Sequence, residues 1–388
     1  MFVACEDDPS SLGLENIPDG DKIGLLEINS VDIPMEQKSS FYNASLTDST
    51  WDLGTSIRLL VGKNNDVTSS MLIRFRSSVA DSIIEYYDND ELTIQKAWIE
   101  LKPVYTLGDE SAPFALQVSK INSEWNSSLF DKDSLEQLVR PYISDTRTES
   151  GFSDSLVSFE IPNEMANDWL VGSIKDSTEL NYGLLFEPTS GSNKILGFYS
   201  LHSDNVTDGY DNIPVAKIEI SKAGSGLDTL LFYSSRDVNV VDGNIPADDG
   251  TYIYLQGDFP LRANYYIDVS AIPENSIVVD AELEFHYDST LSRIGSVKSN
   301  KINLFMYSDS SAKTLLPAYS AMTRDTLENR FTGNLKQFVQ SWNQDTDNQG
   351  LFVNMFDEDH TLNRLAIYGP KYSDPLLRPK LTVRYTKR

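Results

Sequence analysis

Five segments from the first half of the chain recur, in the same order, in the second half. Ile57-Arg58-Leu59-Leu60-Val61-Gly62 matches Ile253-Tyr254-Leu255-Gln256-Gly257, and Leu72-Ile73-Arg74-Phe75 matches Tyr266-Ile267-Asp268-Val269. LTIQKAWIELKPVY, from Leu92, matches SIVVDAELEFHYDS, from Ser276, with Ala97 opposite Ala281. WLVGSIKDSTELNYGLLFE, from Trp169, matches LKQFVQSWNQDTDNQGLFVNM, from Leu335, and PVAKIEIS, from Pro214, matches RPKLTVRYT, from Arg378. Each match is modest alone, but their shared order implies a duplicated unit whose loops carry different insertions. A length of 388 residues also exceeds the usual size of one hydrophobic core.

Within the unit, apolar and polar residues alternate, as in Ala281, Leu283 and Phe285 against Glu282 and Glu284. That is the period of half-buried strands, and clusters of Gly, Asn, Asp and Pro separate the runs, so the pattern predicts an all-β chain of two tandem sandwiches. One short helix per copy is expected. Leu335, Phe338, Val339 and Trp342 fall on one helical face, and Met165, Trp169 and Leu170 form a poorer version. In both copies a glycine, Gly183 or Gly350, leads from the helix into an apolar strand.

The expected boundaries are a tether over residues 1–45, a first sandwich over 46–221 and a second over 228–388. The tether holds at most one strand, Lys22 to Ile28, and SKAGSGL, Ser221 to Leu227, reads as the interdomain linker. Each half should then fold alone. The alternative is one large sandwich with strands exchanged between the halves.

The second copy contains a buried-face strand at Tyr266 to Val269, a turn with Ile272-Pro273 and an A-x-L-x-F strand at Ala281 to Phe285. A V-x-x-W helix at Val339 to Trp342, an N-x-G-L-x-V strand and a terminal RPKL-x-V-x-Y strand follow. This order resembles the DNRLRE-type β-sandwich domain, a jelly-roll-like module of bacterial and archaeal surface proteins. Asn363-Arg364-Leu365 echoes the name motif and Ala366 breaks it; the first copy keeps only Asn193-Lys194-Ile195. The resemblance implies two tandem jelly-roll-like domains. Some members are classed with carbohydrate-binding modules, which implies noncatalytic polysaccharide binding.

Val3-Ala4-Cys5 resembles the end of a bacterial lipobox, with Cys5 the lipidated residue. The acidic Glu6-Asp7-Asp8 that follows resembles surface-exported lipoproteins of the Bacteroidota type. The basic and apolar parts of a signal peptide would have to be encoded upstream. The expectation is a secreted protein held at the outer face of the outer membrane, touching the membrane through the lipid alone.

A formal net charge of -26 makes nucleic acid and anionic lipid headgroups poor partners. Cys5 is the only cysteine, which excludes a disulfide framework and cysteine-based metal sites. His202, His286 and His360 stand singly, and no G-x-S-x-G, H-E-x-x-H or Walker loop is present, so no enzyme is expected. Paired carboxylates are the one catalytic arrangement such an acidic chain could hold unmarked.

Asp345, Asp347 and Gln349, ahead of Gly350, partly match a calcium loop, although Phe356 stands where the bidentate Glu belongs. A structural Ca²⁺ there competes with a plain helix-to-strand turn, and the acidic loop Asp242 to Asp249 has the same status. Glycan binding by sandwiches uses outward aromatic rings. Alternation places Trp98 opposite the core-facing Ala97 and Ile99, while its counterpart is Glu282; it serves either contact with the other module, with inserted residues or within a second core, or a sugar platform. Tyr87, Tyr252 and Tyr254 are further candidates, beside Tyr86, whereas Trp125 reads as core. The expected partner is a polysaccharide; the rival is a surface protein, for a structural or adhesive chain acting through protein contacts or self-assembly.

Overall fold

The structure is a computed structural model that describes residues 25–47, 53–128, 130–138, 142–149, 156–177, 179–203, 213–344 and 346–387. Cys5 and Asp345 lie outside the described residues. The described residues begin with two strands, β1 (Leu25–Asn29) and β2 (Gln37–Asn43), and a short helix α1 (Ala44–Thr47). The first sandwich then runs β3 (Arg58–Asn64), β4 (Val67–Arg76), α2 (Asp81–Asp88), β5 (Leu92–Leu101), β6 (Tyr105–Leu107), β7 (Phe114–Lys120), α3 (Lys132–Gln137), β8 (Tyr142–Glu149), β9 (Val157–Ile161), α4 (Asn163–Ile174), β10 (Leu184–Pro188), β11 (Ile195–Tyr199), β12 (Val215–Lys222) and β13 (Gly226–Gly243). The second runs β14 (Tyr252–Gln256), β15 (Leu261–Ile267), β16 (Ile277–His286), β17 (Lys301–Asp309), β18 (Thr314–Asp325), β19 (Arg330–Asn334), α5 (Lys336–Gln344), β20 (Leu351–Met355), β21 (Arg364–Tyr368) and β22 (Lys380–Thr386).

Among the described residues all pairing is antiparallel, and the strands form two separate 11-stranded sets, each folded over its own core. The all-β sandwich expectation holds. The duplication is also visible in the pairing, because β3, β4, β5, β10, β11 and β12 have the same neighbours as β14, β15, β16, β20, β21 and β22. The two expected helices lay their apolar face on the core: Trp169 of α4 stacks 5.6 Å from Phe75, and Phe338, Val339 and Trp342 of α5 are buried; the first sandwich carries α2 and α3 besides, in place of the single helix expected.

Two boundary expectations are corrected. Ser221 to Leu227 is no linker: β12 turns there into β13 as a hairpin, with Ile218 opposite Leu230 and Lys222 opposite Gly226. Gly224 and Gly226 take φ values of 71° and 85°, the left-handed conformation that tight turns demand and glycine adopts without strain. A glycine-rich stretch serves a hairpin as well as a tether, and composition alone does not separate them. The strand β13 then bends, with a register shift between Ser234 and Arg236, and pairs along β4 from Tyr233 to Gly243.

The expected tether carries two strands rather than one, and both belong to the second sandwich. Leu25 to Asn29 pair with Thr386 to Thr382 of β22, and Gln37 to Asn43 pair with Ile267 to Leu261 of β15. Ile28, Met35 and Phe41 are buried in that core. Thus β1 and β2 occupy, against β22 and β15, the places that β13 occupies against β12 and β4. The first sandwich is contiguous, whereas the second is closed by the start of the chain.

The sandwiches meet along a packed seam. Leu60, Val67, Tyr105 and Leu107 cluster with Phe259 and Leu362 of the second unit. The Tyr105 hydroxyl donates to Asn363 Oδ1 at 3.1 Å and accepts from the Leu362 N–H at 3.3 Å. Arg58 Nη1 donates to the His360 carbonyl at 2.8 Å, and Asp66 pairs with both Arg293 and Arg364. Partial burial works to raise the Asp66 carboxyl, but the hydrogen bond from Arg293 and the two guanidinium charges outweigh it and hold the group below its ordinary range.

Candidate functional site

Strand β15 alternates strictly, with Leu261, Ala263, Tyr265 and Ile267 buried and Arg262, Asn264 and Tyr266 half-exposed. That pattern belongs to a strand with one face open to solvent. Its counterpart β4 reads SSMLIRF and is buried on both sides. The difference marks what lies on the outer face of each sandwich.

On the second sandwich the outer face is formed by β2, β15, β20, β17 and β18, and one row crosses all five. Ser40 lies opposite Asn264, Asn264 opposite Phe352, Phe352 opposite Phe305 and Phe305 opposite Tyr319. The Phe305 ring is 6.0 Å from Phe352 and 5.2 Å from Tyr319, a residue that is 48% exposed. Polar groups frame the rings. The Tyr319 hydroxyl donates to Asn303 Oδ1 at 3.1 Å, the Tyr307 hydroxyl donates to Asn264 Oδ1 at 2.6 Å, and Asn264 Nδ2 donates to Ser40 Oγ at 3.2 Å.

Arg262 sits 5.7 Å over the Phe352 ring and donates to Glu358 Oε1 at 2.8 Å. Burial pushes the Glu358 carboxyl upward despite that guanidinium. Beside the row a groove of about 510 Å³ opens between Lys38, Ser40, Asn264, Tyr266, Ser310 and Gln349.

Strand pairing makes Val238, Leu72, Leu185 and Ser119 the equivalent row of the first sandwich, which sets Leu72 against Asn264 and corrects by two residues the sequence match of Leu72 with Tyr266. There the face is apolar and covered: Leu72, Leu185, Val238 and Val240 pack under Ile121, Trp125 and Phe130. Trp125 is therefore core, as expected, and its Nε1 donates to the Tyr182 carbonyl at 2.6 Å. One copy carries its own lid; the other presents aromatic rings and amides to solvent.

The residues proposed from sequence are dispersed. Tyr252 and Tyr254 do come together, 5.9 Å apart, and Tyr368 and Tyr372 join them at the far end of β14 and β21. Their rings pack on one another, Tyr368 and Tyr372 at 4.3 Å, and Tyr252 reaches toward Asp288 Oδ2 at 3.4 Å. Trp98 lies outward of the buried Ala97 and Ile99, but Lys96 Nζ covers its ring at 4.8 Å and its Nε1 is bound to Glu100 Oε1 at 2.8 Å. Tyr87, on α2, packs against the first core.

Of the calcium-loop residues, the two described ones, Asp347 and Gln349, do not share a point. Asp347 lines a depression with Asp268 and Glu274, while Gln349 lines the other groove and accepts from Ser310 Oγ at 3.1 Å. Asn348 closes the turn instead, donating to the Ile267 carbonyl at 2.7 Å and accepting from the Gly350 N–H at 3.1 Å. In the other acidic loop, Asp242 pairs with Lys132, and Asp248 and Asp249 accept backbone N–H groups of Phe41 and Thr251. Among the described residues, no three acidic, histidine or cysteine side chains converge on a metal position. Also among them, no helix is long and apolar enough to cross a membrane.

No protein-family model and no curated protein sequence matches the chain.

Proposed function

We propose that the chain is a noncatalytic, lipid-anchored cell-surface protein, a tandem of DNRLRE-type sandwiches, that binds polysaccharide on the open face of its second sandwich. The observation that carries this reading is the contrast between the two copies. The covered face uses Leu72, Leu185 and Val238, residues that need a lid; the open one has Asn264, Phe352 and Ser40 at the same positions. Rings with amides and hydroxyls at their rims suit sugar, whose C–H face stacks on an aromatic while its hydroxyls exchange hydrogen bonds.

Pull-down with insoluble polysaccharides, or a glycan array, should detect binding. Phe305→Ala and Tyr319→Ala should each weaken it by roughly fivefold or more, the loss of a central aromatic contact of about 1 kcal/mol, with unfolding curves nearly unchanged for the exposed Tyr319. Trp98→Ala should leave binding intact. No binding by the wild type, with or without Ca²⁺, would sink the reading.

The anchor has its own test. The native protein should partition with membranes, and Cys5→Ser should release it, because the acyl chains supply about 0.8 kcal/mol per buried CH₂ and the described residues contain no membrane-spanning helix. Wild-type protein carrying an unmodified Met1 would rule the anchor out.

A further inference from the structure

We propose that the N-terminal strand pair of one copy closes the second sandwich of another, so that crowded copies of this chain link by strand donation. The inference starts from covalent connectivity. Segment 25–43 fills the edges of β22 and β15, yet the chain leads directly from it into the first sandwich, through α1 to β3. Hydrogen bonds join the donor to its acceptor, but no covalent hairpin does. The place where one would be is visible: Leu25 lies opposite Thr386, as Gly226 lies opposite Lys222 in the intact hairpin of the first sandwich.

An acceptor lacking this segment would expose the β15 and β22 edges and vacate the positions of Ile28, Met35 and Phe41. Such edges recruit strands, and any copy offers the right one. The donor also bears apolar residues that its own acceptor leaves exposed: Leu25 at 58%, with Leu26, Val31 and Ile33. Leu25 shares a row with Thr386 and Ile277, and Ile277 and Val279 are exposed beside it. This apolar patch spans donor and acceptor, so a second copy has surface to cover as well as a slot to fill.

Geometry sets the conditions. Contacts across the seam hold the first sandwich against the second and favour the strand from the same chain, whose effective concentration is on the order of millimolar. Exchange between chains therefore belongs to crowded or transiently opened copies, and dilute protein is monomeric. In an exchanged assembly, Lys38 and Ser40 of the groove come from a different copy than Asn264 and Tyr266. The exchange itself does not depend on the glycan reading.

Ser40 and Asn264, directly opposed on β2 and β15, give the test. Full-length Ser40→Cys and Asn264→Cys chains, each also carrying Cys5→Ser, are mixed at high concentration, warmed below the unfolding transition and oxidised. A disulfide-linked heterodimer is expected, rising with concentration, and light scattering of the wild type should show dimers or larger species after the same treatment. The double variant, oxidised while dilute, should be locked in its own acceptor and stay monomeric. A wild type that remains monomeric at every concentration, together with no mixed disulfide, overturns the proposal; both readouts use the intact chain without ligand.

Discussion

Cut between Ser221 and Gly224, the chain should yield two fragments that do not fold, whereas a cut after Gly243 should yield a stable first sandwich. The fragment ending at Ser221 loses β13, and with it the buried Phe232, Val238, Val240 and Val241. At about 1.5 to 3 kcal/mol per buried side chain, that is roughly 6 to 12 kcal/mol, as much as a whole domain's usual stability. The fragment starting at Gly224 lacks β1 and β2, hence Ile28, Met35 and Phe41, roughly 5 to 9 kcal/mol by the same reckoning, and carries β13 as an unpaired strand.

A fragment of residues 53–243 should unfold cooperatively, because β3 to β13 contain all the described strands of that sandwich. The second sandwich should fold once residues 244–388 are followed by a short turn and residues 25–47. Thr386 and Leu25 are paired neighbours, so a hairpin linker spans the gap. Circular dichroism and urea titration distinguish the outcomes. Stable folding of the fragment that begins at Gly224 would show that β1 and β2 are dispensable.

Local and non-local order differ in how far the sequence displays them. The strand periods and the apolar faces of α4 and α5 are local patterns, each written in fewer than twenty residues, and the structure reproduces them, whereas α2 and α3 are additional. Which strand lies beside which is not local. Nothing in LLEIN or QKSSFYN names β22 or β15 as partner, and the same glycines of SKAGSGL suit a tether or a turn. Phe305, Tyr319 and Phe352 are hidden in the sequence for that reason, since they become a row only when β17, β18 and β20 align.

One signal of the open face is present in the sequence. The alternation of Leu261 to Ile267 against the apolar run Met71 to Ile73, followed by Arg74 and Phe75, distinguishes an open outer face from a covered one. Set against each other in this way, the two copies point to Asn264 and away from Trp98, where single outward aromatics do not. The tyrosines at 252 and 254 are legible as outward, but their packing on Tyr368 and Tyr372 depends on the loop after β21.

Asp237 should make the chain less stable as pH rises from about 4 to about 6, opposite to the usual behaviour of a paired carboxylate. It sits just past the bend of β13, 2% exposed, and accepts from the Leu201 N–H at 2.9 Å and the Ser234 hydroxyl at 2.8 Å. Burial pushes its carboxyl from 3.8 up to about 6; those two hydrogen bonds and the charge of His202 oppose the rise without cancelling it. Between those values the folded chain keeps a proton that the unfolded chain has released, so folding is favoured below the unfolded pKa. The advantage is lost as pH climbs through the folded one.

The rise from 3.8 to about 6 corresponds to roughly 3 kcal/mol, and the residue's near-complete burial leaves little solvent screening to reduce it. Asp237→Asn keeps an acceptor for Leu201 but cannot ionise. Other carboxylates titrate alike in both proteins, so the informative quantity is the stability difference between variant and wild type in urea. It should move by about 3 kcal/mol in the variant's favour between about pH 4 and about pH 7, whatever constant offset the new amide hydrogens introduce. Parallel curves would mean that Asp237 titrates near its ordinary value. In that case the bend of β13 would place its carboxylate in water, and the anchoring of the loop at Leu201 would need another source.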